Sequence, residues 1–169
     1  MGCGTRDSVA YQLMRQTLDP ALCQELVERV ETTLYYPPST SGGEAEPGGE
    51  HYRLSGDAEV RPLFEPRLTD RFPGPWVYVD LITIYPKGWV HLHTDTSHGR
   101  VRWHLVLQTN PDAWCFAGGV WSHLPAGTVW TIDTEEPHGS VNWGREPRLH
   151  LIFDVATGTT PSRPERLTA

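Results

Sequence analysis

The chain is poor in cysteine, short of positive charge and without any long apolar run, and each shortage removes a class of protein. Its three cysteines, Cys3, Cys23 and Cys115, are odd in number and irregular in spacing. That excludes a disulfide framework of the kind that staples small secreted domains and points to a reducing compartment. The 14 Lys and Arg are outnumbered by 21 Asp and Glu, for a formal charge of −7, and the arginines are scattered. Without a basic face, no nucleic-acid partner is expected. No apolar stretch approaches the roughly 20 residues that cross a bilayer, and Met1 to Asp7 lack the apolar run of a secretion signal. These absences predict a soluble, cytoplasmic protein with no membrane partner. At 169 residues it has the size of one domain that buries roughly two-thirds of its unfolded surface.

What is present falls into two regions of one structural domain: residues 1–75, a helical region that packs on a barrel, and residues 76–169, the barrel. Residues 1–10 carry no pattern and read as a frayed end. Asp19 is placed to cap a helix and Pro20 to open it, and Leu22, Leu26, Val27 and Val30 form one apolar stripe. A helical lead-in is expected over Tyr11 to Gln16. Residues 37–50 are almost wholly Pro, Gly, Ser, Thr and acid, too polar to bury themselves, and are expected to form a flexible loop, either a tolerated insertion or an active-site lid. From Trp76 onward, about eight short β-rich segments are separated by turn residues, with no helical pattern between them. The fold class expected is mainly β with an N-terminal helix: a double-stranded β-helix, that is, a cupin-like jelly roll.

Chemistry concentrates in Val90-His91-Leu92-His93-Thr94-Asp95. On an extended strand, residues two apart project to the same side, so His93 and Asp95 can chelate one metal ion. A third ligand is needed, and His138 in Glu136-Pro137-His138-Gly139 is the best candidate. Two imidazoles and one carboxylate on one face of a metal make the facial triad of non-haem Fe(II) oxygenases, with open positions for co-substrate and oxygen. His91, His98 and His123 are nearby. His91 shares the parity of His93 but is expected to orient a ligand or lie at the surface.

Two segments carry the same polar signature. Arg102 and His104 alternate with Val101, Trp103 and Leu105, and Arg148 and His150 alternate with Leu149, Leu151 and Phe153. On central strands the arginines would point into the barrel, where an unmet guanidinium is very costly. Something anionic must meet them, and a dicarboxylate co-substrate is one answer, because the arginine fork matches a carboxylate.

Residues from about 76 to 156 resemble the aspartyl/asparaginyl β-hydroxylase family of Fe(II)/2-oxoglutarate-dependent oxygenases, which includes bacterial free-amino-acid hydroxylases such as proline cis-4-hydroxylases. The likeness is carried by Tyr85-Pro86-Lys87-Gly88 before His93-Thr94-Asp95, Arg102-Trp103-His104-Leu105, Ala126-Gly127-Thr128-Val129-Trp130, Pro137-His138-Gly139-Ser140 and Arg148-Leu149-His150-Leu151. It implies Fe(II), 2-oxoglutarate and O2 as cofactor and co-substrates, with His93, Asp95 and His138 as iron ligands. It also implies Arg148 as the anchor of the distal carboxylate of 2-oxoglutarate, and Arg102 and His104 at the other end. The intact carboxylate at Asp95 favours hydroxylation over halogen transfer. The chain departs from the family at Ile82, where a co-substrate-binding serine falls, so Thr83 or Tyr85 is expected to stand in. Trp130, His150 and Glu135 are candidates for substrate contact. A small-molecule substrate is expected: a free or carrier-bound amino acid or a related metabolite. Three other readings stay open: a 2-oxoglutarate-independent cupin-type metalloenzyme, another 2-oxoglutarate-driven oxidation such as desaturation or cyclisation, and a non-catalytic binding domain.

Overall fold

The computed structural model describes residues 11–33, 52–55, 57–72, 75–96 and 100–156. The chain opens with β1 (Tyr11–Thr17), α1 (Pro20–Thr33), β2 (Tyr52–Ser55) and α2 (Asp57–Leu68). Eight strands follow: β3 (Trp76–Ile84), β4 (Trp89–His93), β5 (Arg100–Gln108), β6 (Ala113–Ala117), β7 (Val120–Ser122), β8 (Thr128–Ile132), β9 (His138–Asn142) and β10 (Arg148–Ala156). They form a six-stranded sheet in the order β1-β8-β5-β10-β3-β2 and a four-stranded sheet in the order β4-β9-β6-β7. The expected jelly roll is therefore present, as two facing antiparallel sheets.

Helix α1 starts where its cap predicts, with the Ala21 amide donating to Asp19 Oδ1 at 2.7 Å. The expected helical lead-in is instead strand β1, paired antiparallel with β8 from Tyr11↔Ile132 to Thr17↔Thr128. So short a segment makes only a marginal helix alone, whereas the open edge of β8 offers it a ready ladder. Strand β2 joins the other edge, with Tyr52 opposite Ile84. The N-terminal region thus contributes strands as well as helices. The expected frayed end at 1–10 and the loop at 37–50 lie outside the described residues.

Helix α2 has no counterpart in the sequence reading, because Pro62 and Pro66 interrupt it. Each interior proline costs about 3 kcal/mol in lost hydrogen bonding and steric conflict. Val60, Phe64 and Leu68, all at 0% exposure, fall at a four-residue spacing on one face, and burial of each offsets that cost by roughly 1.5–3 kcal/mol.

This face and α1 cover the outer side of the large sheet, where Trp76 stacks on Phe153 at 4.6 Å between ring centroids and Phe72 meets Trp103 edge-on at 5.7 Å. Strand alternation then does the sorting. On β5, Trp103, Leu105 and Leu107 enter this core; on β10, Leu149, Leu151, Phe153 and Val155 do the same. The intervening residues, Arg102 and His104 on β5 with Arg148 and His150 on β10, line a cavity between the sheets.

Candidate active site

The cavity has a volume of about 430 Å³ and takes walls from β3, β5 and β10 of one sheet and β4 and β9 of the other. At one end are His93, Asp95 and His138. His93 ends β4 and His138 opens β9, and the two are direct cross-strand partners, with imidazole centroids 4.3 Å apart. Strand β9 begins at His138, where pairing with both β4 and β6 already holds it. Asp95 follows just beyond β4, where its amide donates to Thr134 O at 2.7 Å.

The two imidazoles are oriented in the same way. His93 Nδ1 lies 2.8 Å from its own chain at His91 O, and His138 Nδ1 lies 3.0 Å from Glu136 O. A carbonyl only accepts, so each Nδ1 carries the proton and each Nε2 offers a lone pair. His138 Nε2 stands 3.9 Å from Asp95 Oδ2. Burial, the largest cause, holds the pKa of His138 below the usual imidazole value, which keeps it neutral and able to ligate. One donor atom from each of the three residues lies within 4.8 Å of the others. Two imidazoles fixed through their far nitrogens and one carboxylate, held around a shared point, form a donor set that fits a divalent first-row metal.

Close approach of the strands depends on Gly139. A Cβ there would sit 2.9 Å from Val90 O and 3.1 Å from His91 O. His91 itself is exposed, and its carbonyl supports His93 while the β4·β9 register shifts between Val90 and His93.

At the other end, Arg148 is 3% exposed. One of its Nη2 hydrogens points to Cys115 Sγ at 2.6 Å on β6, and Nη2 also meets His150 Nδ1 at 3.0 Å. The guanidinium therefore reaches across from one sheet to the other within the cavity.

A family model described as aspartyl/asparaginyl beta-hydroxylase matches residues 69–157, more than half of the chain. The chain belongs to the aspartyl/asparaginyl β-hydroxylase family. L-proline cis-4-hydroxylase from Rhizobium meliloti (strain 1021) is 31% identical over 71 residues, covering 42% of this chain and 25% of that protein. The match thus spans about a quarter of that relative's length. The iron-bound structure of HygX from Streptomyces hygroscopicus shares 12% identity at a TM-score of 0.61, covering 86% of this chain and 81% of that one. A Pseudomonas putida prolyl-4-hydroxylase shares 18% identity at a TM-score of 0.52, covering 87% and 92% respectively. Both likenesses are of fold: the jelly roll is common to all three.

In this member of the aspartyl/asparaginyl β-hydroxylase family, the remaining expected residues divide. His104 and His150 line the cavity. Arg102 also lines it, but its charge is met by protein: Nε and Nη2 donate to the Asp154 carboxylate at 2.9 and 3.1 Å, and Nη1 donates to Asp95. Trp130 is not brought to the cavity wall. It packs beside Val106 and Cys115, with Nε1 donating to Thr128 Oγ1 at 2.7 Å. Glu135 is exposed and lines a shallower depression on the far side of Arg102, with Asp133 and Thr134. Ile82 does line the cavity, whereas the suggested stand-in Thr83 pairs with the core residue Leu149 on the opposite face. His123 is turned away, with Nδ1 3.0 Å from Ala113 O. His98 lies outside the described residues.

Two contributors escaped the sequence reading. Asp154 sits directly across from Arg102 in the β10·β5 register, and its even-numbered position on the strand of Arg148 and His150 was the available signal. Tyr78 donates to Asp80 and lies under Arg102, whose Cζ is 5.4 Å from the ring centroid. Burial, then Asp80, holds its hydroxyl pKa above the usual range.

Proposed function

We propose that this protein is a cytoplasmic Fe(II)- and 2-oxoglutarate-dependent dioxygenase that hydroxylates an unactivated C–H bond of a free or carrier-bound amino acid or amino-acid-like metabolite. The observation that carries this reading is the pairing, within one cavity, of the His93, Asp95 and His138 donor cluster with the buried guanidinium of Arg148. Bound iron would supply the oxidising chemistry, drawing on O2 and the oxidative decarboxylation of 2-oxoglutarate to succinate and CO2.

The chain's own part is binding, orientation and exclusion of water. His93, Asp95 and His138 would hold the metal, with the His91 and Glu136 carbonyls fixing the tautomers that leave Nε2 available. Arg148 would receive the distal carboxylate of the co-substrate in a site sheltered from solvent, where a charge-assisted hydrogen bond is strongest. Arg102 and His104 would line the other end. Asp154 and Asp95 engage three of the five guanidinium N–H donors of Arg102, which leaves donors for a ligand. Ile82, Val90 and Ile152 supply apolar wall that excludes water. The cavity volume suits a small molecule beside the co-substrate. A cupin-type enzyme working without 2-oxoglutarate has no use for Arg148, which is why that reading ranks below this one.

Anaerobic titration with Fe(II) and 2-oxoglutarate tests the proposal. A weak visible charge-transfer band should appear only when both are present and should vanish in His138→Ala; intact protein that gives no band refutes it. Succinate release against a panel of amino acids, with mass detection of an added oxygen, then identifies the substrate.

A further inference from the structure

His150 is completely buried, with 0% exposure, yet it lines the cavity. Its Nδ1 stands 3.0 Å from Arg148 Nη2. A guanidinium has no acceptor, so Nδ1 must accept and the imidazole proton must reside on Nε2. Burial first, and then the charge of Arg148, hold the pKa of the ring well below the usual value, so this neutral tautomer is the state present near pH 7. Nε2 has no hydrogen-bond partner among the described residues. A buried N–H without an acceptor is costly, and the ring cannot turn to relieve it without breaking its bond to Arg148. His150 lines the cavity, and a molecule that fills the cavity can supply that acceptor. Because this donor shares its position with a guanidinium, that acceptor is best supplied by an anion. The residue directly across from His150 on β3 is Ile82, which offers no donor where the family resemblance expects a hydroxyl.

We propose that His150 Nε2–H donates, alongside Arg148, to the distal carboxylate of the dicarboxylate co-substrate, filling the role that Ile82 leaves open. The inference rests on the reading of this cavity as a 2-oxoglutarate site. It makes His150 a determinant of co-substrate choice and removes it from the residues that contact the substrate to be oxidised.

The test uses full-length protein loaded with redox-inert Mn(II), with binding measured by calorimetry for 2-oxoglutarate and for 2-oxobutyrate, which has the same 2-oxo acid end but no distal carboxylate. His150→Phe should weaken 2-oxoglutarate by roughly 10–100-fold, as expected for loss of one hydrogen bond to a charged group, and leave 2-oxobutyrate and Mn(II) binding unchanged. His150→Gln, which carries an N–H near the position of Nε2, and Ile82→Ser in the His150→Phe background should each restore part of the loss. An equal loss for both acids, or no loss for either, overturns the inference and leaves the functional reading standing. Wild-type protein that binds Mn(II) but neither acid overturns the functional reading, and the inference with it. Should His150→Phe fail to fold, ¹⁵N spectra of the wild-type histidines decide: protonation at Nε2, with a proton resonance that moves when 2-oxoglutarate is added, supports the assignment, and protonation at Nδ1 refutes it.

Discussion

Replacing Gly139 with alanine is expected to damage the proposed metal site without touching any of its proposed ligands. The new Cβ would lie 2.9 Å from Val90 O, 3.1 Å from His91 O and 3.2 Å from Leu92 Cδ2. Leu92 is 59% exposed and can swing away, but the two carbonyls belong to the β4 backbone, so the strand itself must retreat from β9. His91 O is also the group that holds His93 Nδ1, so the displacement passes straight to a proposed ligand. Overpacking of this kind costs roughly 1–3 kcal/mol, which in a chain of this size lowers Tm by roughly 2–4 °C for each kcal/mol. Loss of the support behind a metal-binding histidine typically weakens metal affinity by roughly 10–100-fold. Thermal melts with and without saturating Mn(II) separate the two effects. The metal-free Tm reports the steric cost, and the gain on adding metal should shrink by about 1.4 kcal/mol for each tenfold loss of affinity. If Gly139→Ala lowers the metal-free Tm but keeps the full metal-dependent gain, the β4–β9 approach does not govern the site and the reasoning fails.

Asp154→Asn removes the charge that answers Arg102 while keeping its shape, and should cost about 1.5–3 kcal/mol in urea unfolding, as for hydrogen bonds to charged groups; an unchanged midpoint would show that the pair adds nothing. Arg148→Ala should raise the 2-oxoglutarate requirement far more than the iron requirement, whereas equal loss of both would mark the arginine as structural. His104, His138 and His150 all have folded pKa values below the ordinary 6.5, so below that pH the unfolded chain takes up protons that the folded chain refuses. Stability of the metal-free protein is then present above about pH 6.5 and is lost as the pH falls, by up to about 1.4 kcal/mol per pH unit for each histidine. Urea midpoints at pH 7, 6 and 5 should fall steadily, less steeply in His150→Phe, and a flat profile would contradict the buried, neutral state of these rings.

The barrel was legible because its central strands, β5 and β10, alternate core-facing and cavity-facing side chains with a period of two. Arg102, His104, Arg148 and His150 could be assigned to one face from sequence alone, and they line one cavity. The N-terminal region was less legible for two physical reasons. Strand β1 exists because the edge of β8 accepts it, a long-range fact that local pattern does not contain. Helix α2 is disguised by Pro62 and Pro66 and is held by burial of Val60, Phe64 and Leu68 under the sheet. At the site, side-chain partners were harder to read than faces. One of the two carboxylates that meet Arg102 is Asp154, because two antiparallel strands happen to set those residues opposite one another. No feature of either strand read alone specifies that register.

The two arginines show how the same sequence signature yields different chemistry. Arg102 is neutralised by two carboxylates of the protein, one of them the proposed ligand Asp95, so it is fixed before any ligand arrives and ties the metal end to the large sheet. Arg148 donates to Cys115 Sγ and meets His150 Nδ1, and neither of these two contacts is with a carboxylate. Reversing that arrangement should reverse the behaviour. A carboxylate placed against Arg148, as in Cys115→Asp, would compete with the proposed co-substrate, weakening 2-oxoglutarate while the proposed metal ligands, at the ends of β4 and β9 and just beyond β4, still bind Mn(II). Tight 2-oxoglutarate binding by a folded Cys115→Asp protein would show that the charge of Arg148 is not what the co-substrate meets.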